Sequence, residues 1–304
     1  MDFQAVLEEI EVEARPFFGK GAVAGYIPAL ARVDPSKLGI AMQTVEGDSH
    51  VVGDGNEPFS IQSISKVFSL MLALSAVGDE VWTKVGKEPS GDPFNSLILL
   101  EHEQGVPRNP FINAGALVIV DILLRVRPTA DLWVRDYVRV LAQNHAIDFD
   151  PEVARSEREH AHVNAALGHL MKSHGVLHHP VEQVLDAYCR ICALAMSCVD
   201  LARAFLPLAA RGASPLLGEC VLTERQARRV NALMLTCGMY DSVGSFAYRV
   251  GFPAKSGVGG GIVAVVPERL AICVWSPELD RSGNSYVGTA ALELFTRYTK
   301  LSIF

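Results

Sequence analysis

The sequence predicts an α/β protein: an antiparallel sheet drawn from both ends of the chain and flanked by helices, with an all-helical subdomain inserted between. Three observations carry this. Strand-like runs occupy residues 37–45 and 50–53, then return only at 254–258, 261–266 and 270–275. From about residue 60 to 235 the apolar period is mostly helical. Neither a linker nor an internal repeat separates the two patterns, so the simplest assembly joins the ends in one sheet. The expected division is 1–58 with 236–304 for the sheet unit and 59–235 for the helical unit.

Taken in order, residues 2–14 read as a helix that Pro16 ends. Gly19-Lys-Gly-Ala-Val-Ala-Gly-Tyr-Ile-Pro28 is irregular and glycine-rich. It is not a phosphate loop, since no strand precedes it and no Lys-Ser/Thr pair closes it. Tyr26 within it reads locally as an aromatic wedge under a turn. Residues 37–45, the Glu46-Gly-Asp-Ser turn and residues 50–53 form a hairpin pattern. Helices are expected at 60–77, with Ser60 as N-cap, and at 93–103, 113–126, 130–145, 160–174, 180–194, 197–210 and 223–237. Pro/Gly clusters at 88–93 and 211–215 interrupt them. Three β-branched or apolar runs joined by tight turns follow, and residues 283–301 close as a helix.

The 304 residues are 49% hydrophobic and 20% charged, a globular composition. Net charge is −7, and no basic stripe interleaves with aromatics, which argues against nucleic acid as partner. The acidic, amphipathic first ten residues are unlike a secretory signal. The longest apolar runs, 114–120 and 262–266, are far too short for a membrane span. A soluble, cytoplasmic protein without membrane partners is the expectation. Cys189 and Cys192 have Cys-x-x-Cys spacing but lie in a helical pattern, and no second pair sits at zinc spacing. The histidines at 160, 162, 169, 174, 178 and 179 contain no His-Glu-x-x-His and read as a solvated helix and loop. No metal and no cofactor are expected.

Chemistry concentrates at Pro-Phe-Ser-Ile-Gln-Ser-Ile-Ser-Lys-Val-Phe-Ser-Leu, residues 58–70. Ser63 and Lys66 sit three apart on the first turn of a helix. A serine hydroxyl is a poor nucleophile until a base takes its proton, and a lysine amine serves if its surroundings keep it neutral. The helix N-terminus adds backbone N–H groups for an oxyanion. Alone the spacing is weak, because a chain of this length carries one Ser-x-x-Lys by chance.

A second motif strengthens it. Lys255, Ser256 and Gly257 form the only Lys-Ser/Thr-Gly in the chain, just as Ser63–Lys66 is the only Ser-x-x-Lys. One opens a helix and the other lies on a late strand, the signature of penicillin-recognising serine hydrolases. A backbone N–H just beyond that strand motif would be a second oxyanion donor. The Ser-Asp-Asn or Tyr-x-Asn motif of those enzymes is missing. A β-lactamase-like or esterase-like hydrolase, or a non-catalytic amino-acid sensor using the same pocket, therefore stand as alternatives.

The chain as a whole resembles the serine-dependent glutaminase family. The resemblance rests on the blocks at 19–28, 59–66 and 109–117, on Ser156-Glu-Arg158 with Asn164, and on 237–241, 253–261 and 275–277. It implies a β-lactamase-like fold that hydrolyses L-glutamine to L-glutamate and ammonia without a cofactor. It further implies Ser63 as nucleophile, Lys66 as its base, Tyr26 and Tyr240 near the serine, and Tyr240 passing protons to the leaving ammonia. The oxyanion would lie on the N–H groups of Ser63 and Val258. Gln62, Asn113, Glu157, Asn164 and Tyr188 would hold the α-amino and α-carboxylate groups. A homodimer or homotetramer is the family expectation. The chemistry agrees: Glu157 can pair with an ammonium, and carboxamides can donate to a carboxylate. Locally, Asn113 also reads as a helix N-cap and Tyr188 as a core aromatic. Lys66 is expected to be neutralised by burial and by the charge of Lys255.

Overall fold

A computed structural model describes residues 1–90 and 97–304. Strands β1 (Gly39–Thr44), β2 (Ser49–Gly53), β3 (Ala254–Ser256), β4 (Gly261–Val266) and β5 (Leu270–Trp275) form one sheet in the order β2-β1-β5-β4-β3, every pair antiparallel. The ends of the chain do meet: Gly39 is opposite Trp275 and Thr44 opposite Leu270. Every residue of β1, β4 and β5 is buried, so both faces of the sheet must be covered.

Alternation sorts the two faces. Ile40, Met42, Ile262, Ala264, Ile272 and Val274 share one apolar cluster with Leu7, Ile10 and Ala14 of the first helix, α1 (Phe3–Ala14), and with Val287, Ala291 and Phe295 of the C-terminal helix Tyr286–Thr299. Ala41, Val263, Val265, Ala271, Cys273 and Trp275 point the other way, into the core of the helical region. The result is three layers: terminal helices, sheet, helical region. In the last of these, α2 (Ser65–Val77) is buried over its first ten residues. It packs against α3 (Asn113–Val126), whose residues 114–124 are all buried. Around them lie α4 (Pro151–Glu159), α5 (Val181–Cys192), α6 (Glu224–Cys237) and further helices, among them Ala130–Ala142 and His162–Ser173.

Several expectations change. Ser60 is not an N-cap. It lies in a two-residue strand, Phe59–Ser60, paired with Leu194–Met196, and its backbone is spent on that pairing. A 3₁₀ turn over Gln62–Ile64 then leads into α2, whose N-cap, Ile64, makes no side-chain cap bond. Asn113 is the first residue of α3, and Ile112 is its cap. The strand expected over 254–258 ends at Ser256, where residues 257–260 turn with Gly260 N–H donating to Gly257 O. Helix α4 was not foreseen, although Asp150 caps it and Pro151 opens it. Of the helix expected at 93–103, Leu97–His102 is helical, and residues 93–96 lie outside the described residues.

Candidate active site

Ser63 sits in the 3₁₀ turn before α2, and Gln62 beside it has φ +48, a left-handed conformation uncommon for a residue with a side chain. The turn is pinned from below: Ser65 Oγ donates to Gln62 O at 2.7 Å. The end of β3 presses on it from the side. A Cβ on Gly257 would lie 2.4 Å from Ile61 O and 3.3 Å from Ser63 N, and one on Gly259 would lie 2.1 Å from Ser60 O. Only glycine permits that approach, which is the physical reason for Lys-Ser-Gly followed by a glycine run. It sets the Val258 N–H at the edge of the turn, and among the described residues that N–H has no protein acceptor.

Lys66 is buried one turn along. Its Nζ donates to Asn113 Oδ1 at 2.7 Å and to Phe111 O at 3.1 Å. Burial lowers its pKa to about 8, opposed by Cys192 and Glu157. The expected help from a Lys255 charge is a correction. Lys255 is itself fully buried, and burial with the nearby Lys66 pushes it well below the ordinary lysine range. Lys66 is lowered by its own burial, and Lys255 is not among the groups that shift it. The Lys255 amine donates to Ser256 O at 2.6 Å and lies 4.5 Å from the centre of the Tyr240 ring.

Tyr240, at φ +49, points its hydroxyl toward Ser256 O at 3.5 Å. Burial raises its pKa to about 12, with Ser63 and Ser256 drawing it back, so it keeps its proton at neutral pH. Glu157, on the last turn of α4, is raised to about 7 by burial, while Lys66, Gln62 and His160 draw it down. Asn113 Nδ2 donates to Asn164 Oδ1 at 2.9 Å, which links Lys66, Asn113 and Asn164 in one chain. The Tyr188 hydroxyl, on α5, reaches Asn113 Oδ1 at 3.5 Å.

These side chains line one cavity of about 350 Å³: Tyr26, Gln62, Ser63, Asn113, Glu157, Asn164, Tyr188, Tyr240 and Val258. Lys66, Lys255 and Ser256 stand behind its wall. Tyr26 is 59% exposed and forms part of the rim. Ile27, His160 and Val163 also line the cavity and were missed in the sequence. His160 is exposed, as expected of these histidines, and it also lines the cavity with its Nδ1 bonded to Ser156 O at 2.8 Å at the end of α4. No cluster of three or more His, Cys, Asp or Glu suited to a metal occurs among the described residues. No described helix is long and apolar enough to cross a membrane.

The profile of the glutaminase family matches residues 21–304. The chain belongs to the glutaminase family. It is 60% identical over 298 residues to the glutaminase of Caulobacter vibrioides (strain NA1000 / CB15N), covering 98% of this chain and 97% of that one. It is 54% identical to the glutaminase of Ralstonia nicotianae over the full length of both. Among solved structures, a probable glutaminase from Bacillus subtilis complexed with 6-diazo-5-oxo-L-norleucine superposes with TM-score 0.90 at 36% identity. That match covers 100% of this chain and 98% of the other. A Bacillus glutaminase in 4.3 M NaCl gives 0.89 at 37% identity, with 98% of each chain covered. The glutaminase fold is therefore β-lactamase-like here too, and the chain is an enzyme of this family.

Proposed function

We propose that this glutaminase hydrolyses L-glutamine to L-glutamate and ammonia through an ester on Ser63. The observation that carries the reading is the setting of Lys66. A neutral lysine amine has two N–H groups and one lone pair, and Asn113 Oδ1 and Phe111 O take both N–H groups. The lone pair is left to accept a proton, and burial brings the amine to about 8, close to the working range of a general base.

Ser63 Oγ attacks the side-chain amide carbon and its proton passes to Lys66. The oxyanion rests on the Ser63 and Val258 N–H groups. The C–N bond breaks, and the departing nitrogen takes a proton relayed through the Tyr240 hydroxyl and leaves as ammonia. Water then attacks the ester, glutamate leaves, and Ser63 regains its proton. Glu157 pairs with the substrate ammonium. Gln62, Asn113, Asn164 and Tyr188 bind the remaining polar atoms of the amino acid, with Tyr26 at the rim. The Bacillus subtilis relative supports this substrate: its ligand is an L-amino acid with a carbonyl where glutamine has its amide.

The test is Ser63→Ala. Ammonia release from glutamine should fall by at least about three orders of magnitude while glutamine still shifts the melting temperature. Near-normal turnover by that variant rejects Ser63. A wild-type enzyme that splits nitrocefin or p-nitrophenyl acetate but not glutamine moves the substrate class to the alternatives above.

A further inference from the structure

Ser60 failed as a helix cap, but its hydroxyl has a different partner on each side. It donates to Cys192 O at 3.1 Å, and Gln62 Nε2 donates to it at 3.0 Å. Ser60, Gln62 and Cys192 are all buried, so water does not substitute for any of them. A hydroxyl carries one hydrogen. With that hydrogen given to a backbone carbonyl, the Ser60 oxygen can only accept. The Gln62 carboxamide must therefore turn an N–H, not its oxygen, toward Ser60, which decides which way round the amide stands. The Gln62 side chain also draws the Glu157 carboxyl down. Ser65 holds the same residue by its backbone carbonyl, in a left-handed conformation with little support of its own.

We propose that Ser60 is a positioning residue for substrate binding: a one-way relay from the Cys192 carbonyl that fixes the orientation of the Gln62 amide in the cavity wall. The proposal rests on Gln62 contacting the amino acid, as read above. Because Gln62 binds and does not react, losing the relay acts on KM and leaves kcat nearly alone.

The experiment is a double-mutant cycle in KM for glutamine with Ser60→Ala, Gln62→Ala and the pair, with melting temperatures measured alongside. Ser60→Ala should raise KM about five- to ten-fold with kcat within about two-fold, the size expected for one neutral hydrogen bond. In the Gln62→Ala background the same change should leave KM unaltered. Equal penalties in both backgrounds, or a fall in kcat with KM unchanged, overturn the relay and leave Ser60 a packing residue. If Gln62→Ala itself leaves KM at the wild-type value, the assignment of Gln62 fails and the relay with it. Should Ser60→Ala not fold, Ser60→Cys keeps the volume with a weaker donor, and an unchanged KM in that variant is equally fatal.

Discussion

Glu157, in the cavity, and Lys66, behind its wall, are both shifted by burial, in opposite directions. In the proposed mechanism Glu157 pairs with an ammonium only once ionised, and burial raises it to about 7; Lys66 acts as a base only once neutral, and burial lowers it to about 8. Both changes favour activity as pH rises, so kcat/KM should climb from pH 6 to 9, most steeply below 7, where two protons must leave. Tyr240, raised to about 12, keeps its proton throughout and imposes no alkaline fall in that range. A flat profile between pH 6 and 9 contradicts both assignments. Glu157 also costs stability. Its folded pKa lies above the ordinary 4.5, so folding favours the neutral form, and the ionised form is penalised increasingly from pH 4.5 to 7 and fully above. The shift corresponds to a few kcal/mol at most, on the order of 3. Glu157→Gln should therefore melt a few degrees higher than wild type at pH 8, the gap closing near pH 5, while glutamine binding is lost. Thermal unfolding at the two pH values checks this.

At the scale of elements, the site depends on the close contact between the end of β3 and the turn that carries Ser63. Gly257→Ala places a methyl group 2.4 Å from Ile61 O, and the contact must open. The two proposed oxyanion donors would then separate, and kcat should fall about a hundred-fold or more. Far-ultraviolet circular dichroism should stay unchanged. An active Gly257→Ala variant would remove Val258 from the mechanism. This contact was legible in the sequence as two unique motifs, and the hairpin, β4, β5 and α3 were legible from long apolar runs with one clear period. Phe59–Ser60 and Leu194–Met196 were not, because two or three residues of strand show no period. They misled the reading of Ser60, a good capping residue whose backbone was already committed to a neighbour. The approach of Asn113, Glu157, Asn164 and Tyr188 from four separate helices has no local signature, and only the resemblance singled them out. His160 is exposed as the sequence suggests, but nothing local marks which of the histidines also faces a cavity.

Across the whole molecule, the sheet separates stability from chemistry. Its far face carries α1 and the C-terminal helix, and no residue of the cavity lies there. Leu7→Ala, at a fully buried position of α1, should cost about 2–5 kcal/mol of stability yet leave kcat and KM at 25 °C unaltered. Chemical denaturation alongside an ammonia assay tests that separation, and a loss of activity in the still-folded variant would show the two faces to be coupled. The strand order has a further consequence for biosynthesis. The inner edge of the first hairpin waits for β5, which is made more than two hundred positions later, and Val258 is translated almost as late. A ribosome-bound chain that has emerged through α5 already carries the Ser63 hydroxyl and the Lys66 amine but lacks Val258, the second oxyanion donor of the proposed mechanism. On that proposal the site is complete only after β4 and β5 have been made and the hairpin finds its partner.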